Sequence, residues 1–289
     1  MVSRYLYLVL AVIVVMGILS AALVGRRALD WLRGRLARPL PVSNERVVVD
    51  GAHANVVFLH HSTGSNLVVQ GNVRALLTQK GYQFWDHDYN TIGLTRPDGT
   101  RTGTAYDIPE LTPGARGGGN TDPQGLAVLF AQPVHNPPDN ALSRLLQHEV
   151  VILKSCYPNS AIKSDESLAQ LKALYLGIRD VMDQQGNTLF ILLTTPPLHP
   201  KATTPDEAAR ARALATWLRS DEFLKGHPNL AVFDFFGLLA DPTTNTLLAE
   251  YQRAAQDSDS HPNALANQTI GPLFADFVDQ AVGTYRAGR

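Results

Sequence analysis

Short apolar runs alternating with helix-length segments govern what this chain can build. Asn55–His60 (NVVFLH), Val150–Leu153 and Leu189–Leu193 are too short for buried helices. They are apolar at successive positions, the pattern of strands covered on both faces. Tyr82–Tyr89 and Leu230–Phe235 are rich in aromatic and β-branched residues and read as two further strands. Between them lie segments with helical spacing. Asn66–Lys80 stops at Gly81, and Asp165–Gln184 stops near Gly186. Asp206–Leu218 is opened by Pro205 and by acids that suit the positive end of a helix. Ala264–Tyr285 is a last amphipathic helix. Five strands joined by helices predict an α/β chain, a three-layer α/β/α doubly wound parallel sheet. Residues 90–123 are dense in Gly, Pro, Thr and Asp, and so long an irregular stretch in a compact domain is functional or disordered.

Charge divides the chain. Its 289 residues carry 25 Lys+Arg and 26 Asp+Glu, a net charge of -1. Residues 1–40 hold six Arg and one Asp, whereas the remainder holds 19 basic and 25 acidic groups. An acidic remainder excludes the concentrated basic face of a nucleic-acid binder. The lone cysteine, Cys156, excludes an intramolecular disulfide framework and a cysteine-rich zinc module. Tyr5–Gly25 is uncharged for 21 residues. At about 1.5 Å per residue it would span roughly 30 Å, the thickness of a hydrocarbon core. Residues 1–25 therefore read as a transmembrane helix or signal anchor, giving a single-pass attachment to a bacterial inner membrane. A signal peptide cleaved near Ser20-Ala21-Ala22 is the rival. Residues 26–50 read as a basic juxtamembrane segment and linker, and 51–289 as the folded domain. The arginines after the span favour a cytoplasmic domain by the positive-inside rule; an exported domain with a lipid-binding basic stretch competes.

In a doubly wound sheet, ligands bind beyond the C-terminal ends of the strands. His60-His61-Ser62-Thr63-Gly64 follows the first strand, and Lys154-Ser155-Cys156-Tyr157-Pro158-Asn159-Ser160 follows the third. Asp257-Ser258-Asp259-Ser260-His261-Pro262-Asn263 precedes the last helix. Ser62 sits at a strand-to-helix turn, where its N–H can face a developing oxyanion. A serine hydroxyl needs a general base, which His261 could be, and a carboxylate could hold the imidazole tautomer. Taken singly, Ser62 reads as a helix cap, His261 as a loop residue and Asn159 as a turn residue. Their joint placement points to nucleophilic catalysis.

These blocks resemble the SGNH (GDSL-like) hydrolases, whose pattern opens with GDS, includes GxND and closes with DxxHPN. The resemblance covers roughly residues 53–285 and is strongest in VVFLHHSTGSN, VVILKSCYPNS, LLTTPPL and DSDSHPNALANQ. It is nearest to a subgroup carrying HHSTG and KSCYPNS blocks. It implies a flavodoxin-like fold and a cofactor-free serine esterase mechanism. Ser62 would be the nucleophile and His261 the base. The oxyanion donors would be the Ser62 N–H, the Asn159 amide and a glycine N–H, Gly93 first and Gly119 second. Three departures stand out. His60-His61 replaces Gly-Asp, SCYPNS replaces GxND, and Ser258 holds the place three before His261. The acid is then Asp259, favoured because a D-S-H-P string recurs in relatives of the subgroup, or Asp257.

Other residues carry weaker signals. His60, His61, His87, Asp86 and Asp88 could ligate a metal, but adjacent strand histidines point to opposite faces, and no metal is assigned. Cys156 reads as a buried small hydrophobe. Lys154 either reaches an anionic substrate or pairs with an acid. GARGGGN lacks the GK[ST] ending of a P-loop and reads as a mobile lid or substrate loop, with a solvent-exposed turn as the plain alternative. Trp85, Trp217 and the Phe233–Phe236 run read as core. Three functions compete. They are a membrane-anchored serine esterase acting on a small-molecule or carbohydrate ester, a carbohydrate O-acyltransferase on the same site, and a non-catalytic membrane-tethered binding protein. Oligomeric state is left open.

Overall fold

A computed structural model describes residues 39–111 and 121–289. The segment read as a membrane anchor, most of the basic stretch and Gly119 lie outside the described residues. Among the described residues no helix is long and apolar enough to cross a membrane.

The sheet contains β1 (Asn55–Leu59), β2 (Gln83–His87), β3 (Leu94–Thr95), β4 (Val150–Lys154), β5 (Leu189–Leu193) and β6 (Leu230–Phe233). Their order is β3-β2-β1-β4-β5-β6. The five longer strands are parallel, and β3 runs antiparallel to β2 at one edge. Without β3 the order is 2-1-3-4-5, which reverses direction between β1 and β4.

Two apolar layers cover the sheet. Val57, Leu59, Val151, Leu153, Phe190 and Leu192 face one side. There they meet α3 (Pro123–Phe130), α4 (Ala141–Leu145), α5 (Asp165–Asp183), α6 (Pro205–Leu218) and α7 (Asp221–Leu224). Val56, Phe58, Val150, Ile152, Ile191 and Leu193 face the other side, against α1 (Ser62–Gln70), α2 (Val73–Gln79) and α9 (Ala264–Ala287). Alternate residues of one strand thus enter opposite cores, which explains the unbroken apolar runs. Each fully buried Phe or Leu contributes about 1.5–3 kcal/mol. The short α8 (Phe235–Leu239) sends Phe235 into the second core and Phe236 into the first. Trp85 and Trp217 are also buried.

Helix starts follow the local chemistry. Ser164 accepts from Ser167 N–H before α5, whose first turn holds Asp165 and Glu166. Thr204 accepts from Glu207 N–H before α6, which has Pro205 in its first turn. Asn263 accepts from Ala266 N–H before α9.

The structure departs from the sequence reading in several places. The helix expected over Asn66–Lys80 begins at Ser62 and breaks at Gly71 and Asn72, the latter in the left-handed region at φ 54°. The break lets helices meet, because a Cβ on Gly71 would lie 2.6 Å from Asn267 O and one on Gly271 2.1 Å from Gly71 O. The stretch read as irregular, 90–123, contains β3 and ends at the first residue of α3. Leu94 N–H bonds Thr104 O, Thr102 N–H bonds Leu94 O, and Asn90 exchanges two hydrogen bonds with Ile108. Residues 40–43, read as linker, are joined to that stretch by Leu40 N–H to Asn90 O and Ser43 N–H to Ala105 O.

Three buried histidines give the fold a pH dependence. His60 bonds Asp86, His87 accepts from Tyr106 N–H, and His148 bonds the Tyr106 hydroxyl and Asn55. Burial pulls His60 and His87 down to about 4 and His148 to about 3, from an ordinary 6.5. Between these values and 6.5 the unfolded chain takes protons that the folded chain does not. Their stabilising effect is therefore intact above pH 6.5 and is lost as pH falls toward 4. The thermal midpoint should drop by roughly 5 °C or more from pH 7 to pH 4.5 when followed by circular dichroism. His148→Gln should flatten part of that slope, and a midpoint constant over the range would contradict the account.

Candidate active site

At the reversal between β1 and β4 the chain leaves the sheet toward opposite faces. After β1 it enters α1 over the second core, and after β4 it leads to α5 over the first. In doubly wound sheets it is between two such departures that ligands bind.

Ser62 stands on the β1 side. His60 N–H still bonds His87 O at 3.0 Å, and His61 is extended (φ -129°, ψ -158°) before the chain turns into α1 at Ser62. The turn needs Gly64, because a Cβ there would lie 2.3 Å from His60 Cβ. His60 is thus packed under the first turn of the helix, with its ring on Asp86 Oδ2 at 3.2 Å. Arg74 holds the other oxygen of Asp86.

His261 reaches Ser62 from the loop before α9, which is pinned on several sides. Ser260 Oγ accepts from His199 N–H at 2.9 Å, and Asn263 Nδ2 donates to Glu250 O at 2.7 Å and Gln252 O at 3.0 Å. Ser62 Oγ lies 2.8 Å from His261 Nε2, and His261 Nδ1 lies 2.6 Å from Asp259 Oδ1. A carboxylate can only accept, so Nδ1 carries the proton and Nε2 accepts from the serine hydroxyl. The same Asp259 oxygen takes the His261 backbone N–H at 3.0 Å, and Arg253 donates to Oδ2 at 3.3 Å. Burial pushes the Asp259 carboxyl up. The His261 N–H and ring, with the Arg253 charge, outweigh it and hold the carboxyl below its ordinary range. It is ionised at neutral pH. Asp257 does not reach the imidazole in this arrangement; its carboxylate accepts from Asp259 N–H at 3.0 Å.

Asn159 belongs to the 3-10 turn Tyr157–Ser160 on the β4 side. Its Nδ2 donates to Asp122 Oδ1 at 2.5 Å and to Cys156 O at 3.2 Å. Burial raises the Asp122 carboxyl against the lowering effects of Asn159 and Lys154. Gly93 was expected as an oxyanion donor. At φ 80° it closes a turn in which its N–H bonds Tyr89 O at 2.7 Å, so that hydrogen is already used.

Lys154, at the end of β4, is 1% exposed. Its ammonium donates to Thr63 Oγ1, to Ser155 O at 3.0 Å and to Cys156 Sγ at 3.6 Å. Neither sequence reading of it holds, since it is enclosed and no ion pair joins it to a carboxylate among the described residues. Burial lowers its pKa, while Cys156, Asp88 and Asp122 oppose that effect. Cys156 is buried. His61 Nδ1 meets Thr121 Oγ1 at 3.1 Å. Among the described residues no group of three His, Cys, Asp or Glu side chains is arranged to hold a metal ion.

Two aromatic residues line the site without having been singled out. Tyr89 stacks on His61 with centroids 3.8 Å apart. Burial, then Cys156, pushes its phenol up to about 12, against hydrogen bonding with the Ser62 side chain and backbone. Tyr157 presents an edge-to-face contact to His261 at 4.8 Å. The signal available for Tyr89 was its place just past β2, the neighbour of the strand β1 that leads to Ser62.

No family profile matches the chain, and no curated protein matches it. Similar solved structures include a Bacteroides fragilis protein described as a candidate acylhydrolase. It is 12% identical with a TM-score of 0.46, over 87% of this chain and 94% of that one. Another is a salicylyl-acyltransferase from a tetracycline biosynthetic pathway, 13% identical with a TM-score of 0.39, over 78% of this chain and 54% of that one.

The two acids near His261 have separable effects. If Ser62 and His261 act as nucleophile and base, Asp259→Asn should lower kcat for an activated ester about a thousandfold or more by releasing the imidazole tautomer. Asp257→Asn, which alters only the loop supporting Asp259, should cost about tenfold or less. Steady-state kinetics of both variants check this, and the reverse order would exchange their roles.

Proposed function

We propose that this chain is a serine esterase of SGNH type, cleaving an acyl ester through Ser62, His261 and Asp259. The observation that carries the reading is the continuous hydrogen-bond chain from Ser62 Oγ through His261 to Asp259. In this reading His261 Nε2 takes the hydroxyl proton as Ser62 Oγ attacks the acyl carbon. Asp259 keeps the opposite nitrogen protonated and stabilises the imidazolium. Negative charge builds on the former carbonyl oxygen, which takes the Ser62 N–H at the start of α1 in place of the Tyr89 phenol. Asn159 joins it by giving up its longer bond, the one to Cys156 O. Asp122 keeps the amide oriented meanwhile. His261 then passes its proton to the leaving alcohol, and water attacks the acyl-enzyme by the same route.

The displaced acid supports this reading. An Asp two residues before the histidine bonds both its ring and its own backbone N–H. The spacing therefore still places a carboxylate behind the imidazole. A carbohydrate ester is within the proposed substrate range, and transfer to a sugar hydroxyl would use the same acyl-enzyme.

p-Nitrophenyl acetate should be hydrolysed, and Ser62→Ala should reduce the rate by about a thousandfold or more. Equal rates in the two proteins would sink the assignment. We also propose that Tyr5–Gly25 anchors the chain in a membrane. The full chain should then stay with the membrane fraction through an alkaline carbonate wash, and its release would favour cleavage of the segment.

A further inference from the structure

Lys154 occupies a position where an aliphatic side chain would be expected. It ends a strand whose preceding residues are all apolar, and it is almost fully enclosed. Burying an ammonium is costly unless its hydrogens are satisfied. All three have partners here, and none is a carboxylate among the described residues. One partner is Thr63 Oγ1, on the residue directly after Ser62, and Thr63 is 0% exposed. The other two, Ser155 O and Cys156 Sγ, belong to the segment that leads into the Asn159 turn. Cys156 in turn accepts both the Asn159 backbone N–H at 3.1 Å and its side-chain amide at 3.2 Å through its carbonyl. Thr63 Oγ1 and Cys156 Sγ also approach to 3.7 Å.

The ammonium therefore bridges the two chain segments that diverge at the reversal between β1 and β4. One carries the Ser62 N–H and the other carries the Asn159 amide. We propose that Lys154 is a positioning residue for acyl transfer, which sets the separation of these two oxyanion donors by gripping Thr63 and Cys156 at once. The assignment rests on the serine-esterase reading. It makes Lys154 a structural crosslink whose effect is concentrated in the transition state, where donor placement counts most.

Four full-length variants test it: Lys154→Met, Thr63→Val, Thr63→Ser and the double variant Lys154→Met/Thr63→Val. The first two should lower kcat for p-nitrophenyl acetate about 10- to 100-fold, with KM within about threefold. Thr63→Ser keeps the gripped hydroxyl and should remain within about threefold of the parent. The double variant should be no worse than Lys154→Met alone, because both remove one linkage. Fluorophosphonate labelling of Ser62 should slow in parallel. A parental kcat in Thr63→Val, multiplying losses in the double variant, or no rescue by Thr63→Ser would overturn the assignment. If Lys154→Met does not fold, the Thr63 pair decides alone. A parent protein that neither hydrolyses the ester nor labels would overturn the esterase reading and this proposal with it. A labelled parent with unaffected variants would overturn only the role of Lys154.

Discussion

The pairing of β1 with β4 is the constraint on which the site depends. The two strands are bonded in parallel register from Val56–Val150 to Leu59–Leu153, and both are covered on each face. Their C-terminal ends are therefore fixed side by side while their continuations part. Polar residues placed just beyond such ends face a gap that the backbone cannot close. Ser62 and Asn159 stand on its two rims, and Lys154 lies beneath it. The loop before α9 brings His261 to the same gap, held by Ser260 and Asn263 rather than by the sheet.

Within that frame, precision comes from groups with more than one partner. Asp259 Oδ1 accepts two bonds from a single residue, so backbone and ring of His261 are oriented together. Asp257 holds Asp259 by its N–H, and Arg253 neutralises the outer oxygen. His60 serves a similar purpose under Ser62, since its contact with Gly64 fixes how low the first helical turn can sit. His60 and His61 are in this sense parts of the scaffold. One packs beneath α1, and the other lies against Thr121 and Tyr89.

The strands were legible because both faces of each are buried, leaving runs with no polar interruption. Ser62, Asn159, Asp259 and His261 were legible as strand-end and helix-start residues, although only three of them meet in one hydrogen-bond chain. β3 was not legible, because a two-residue strand at a sheet edge carries no periodicity. The bond from the Gly93 N–H to Tyr89 O was not legible, because a sequence does not show which N–H a turn engages. Asp122 was hidden in a Gly-rich stretch, with Asn159 as its partner 37 residues away. Lys154 was obscure for a different reason. Lysine is ordinarily a surface residue, and its enclosure follows only from the convergence of Thr63 and Cys156 around it.

The close contact of Gly71 with Gly271 has a consequence for the order in which the chain is made. It packs the helix that starts at Ser62 against the helix that follows His261, and Asn267 adds a 2.8 Å bond to Gln70. Ser62 precedes His261 by 199 residues. A ribosome therefore releases Ser62 long before the His261 imidazole can approach it, and every strand of the sheet emerges before that imidazole. The growing polypeptide carries an unprimed serine throughout synthesis. Competence arrives with the final helix, so on the esterase reading a prematurely terminated chain has a hydroxyl but no hydrolase.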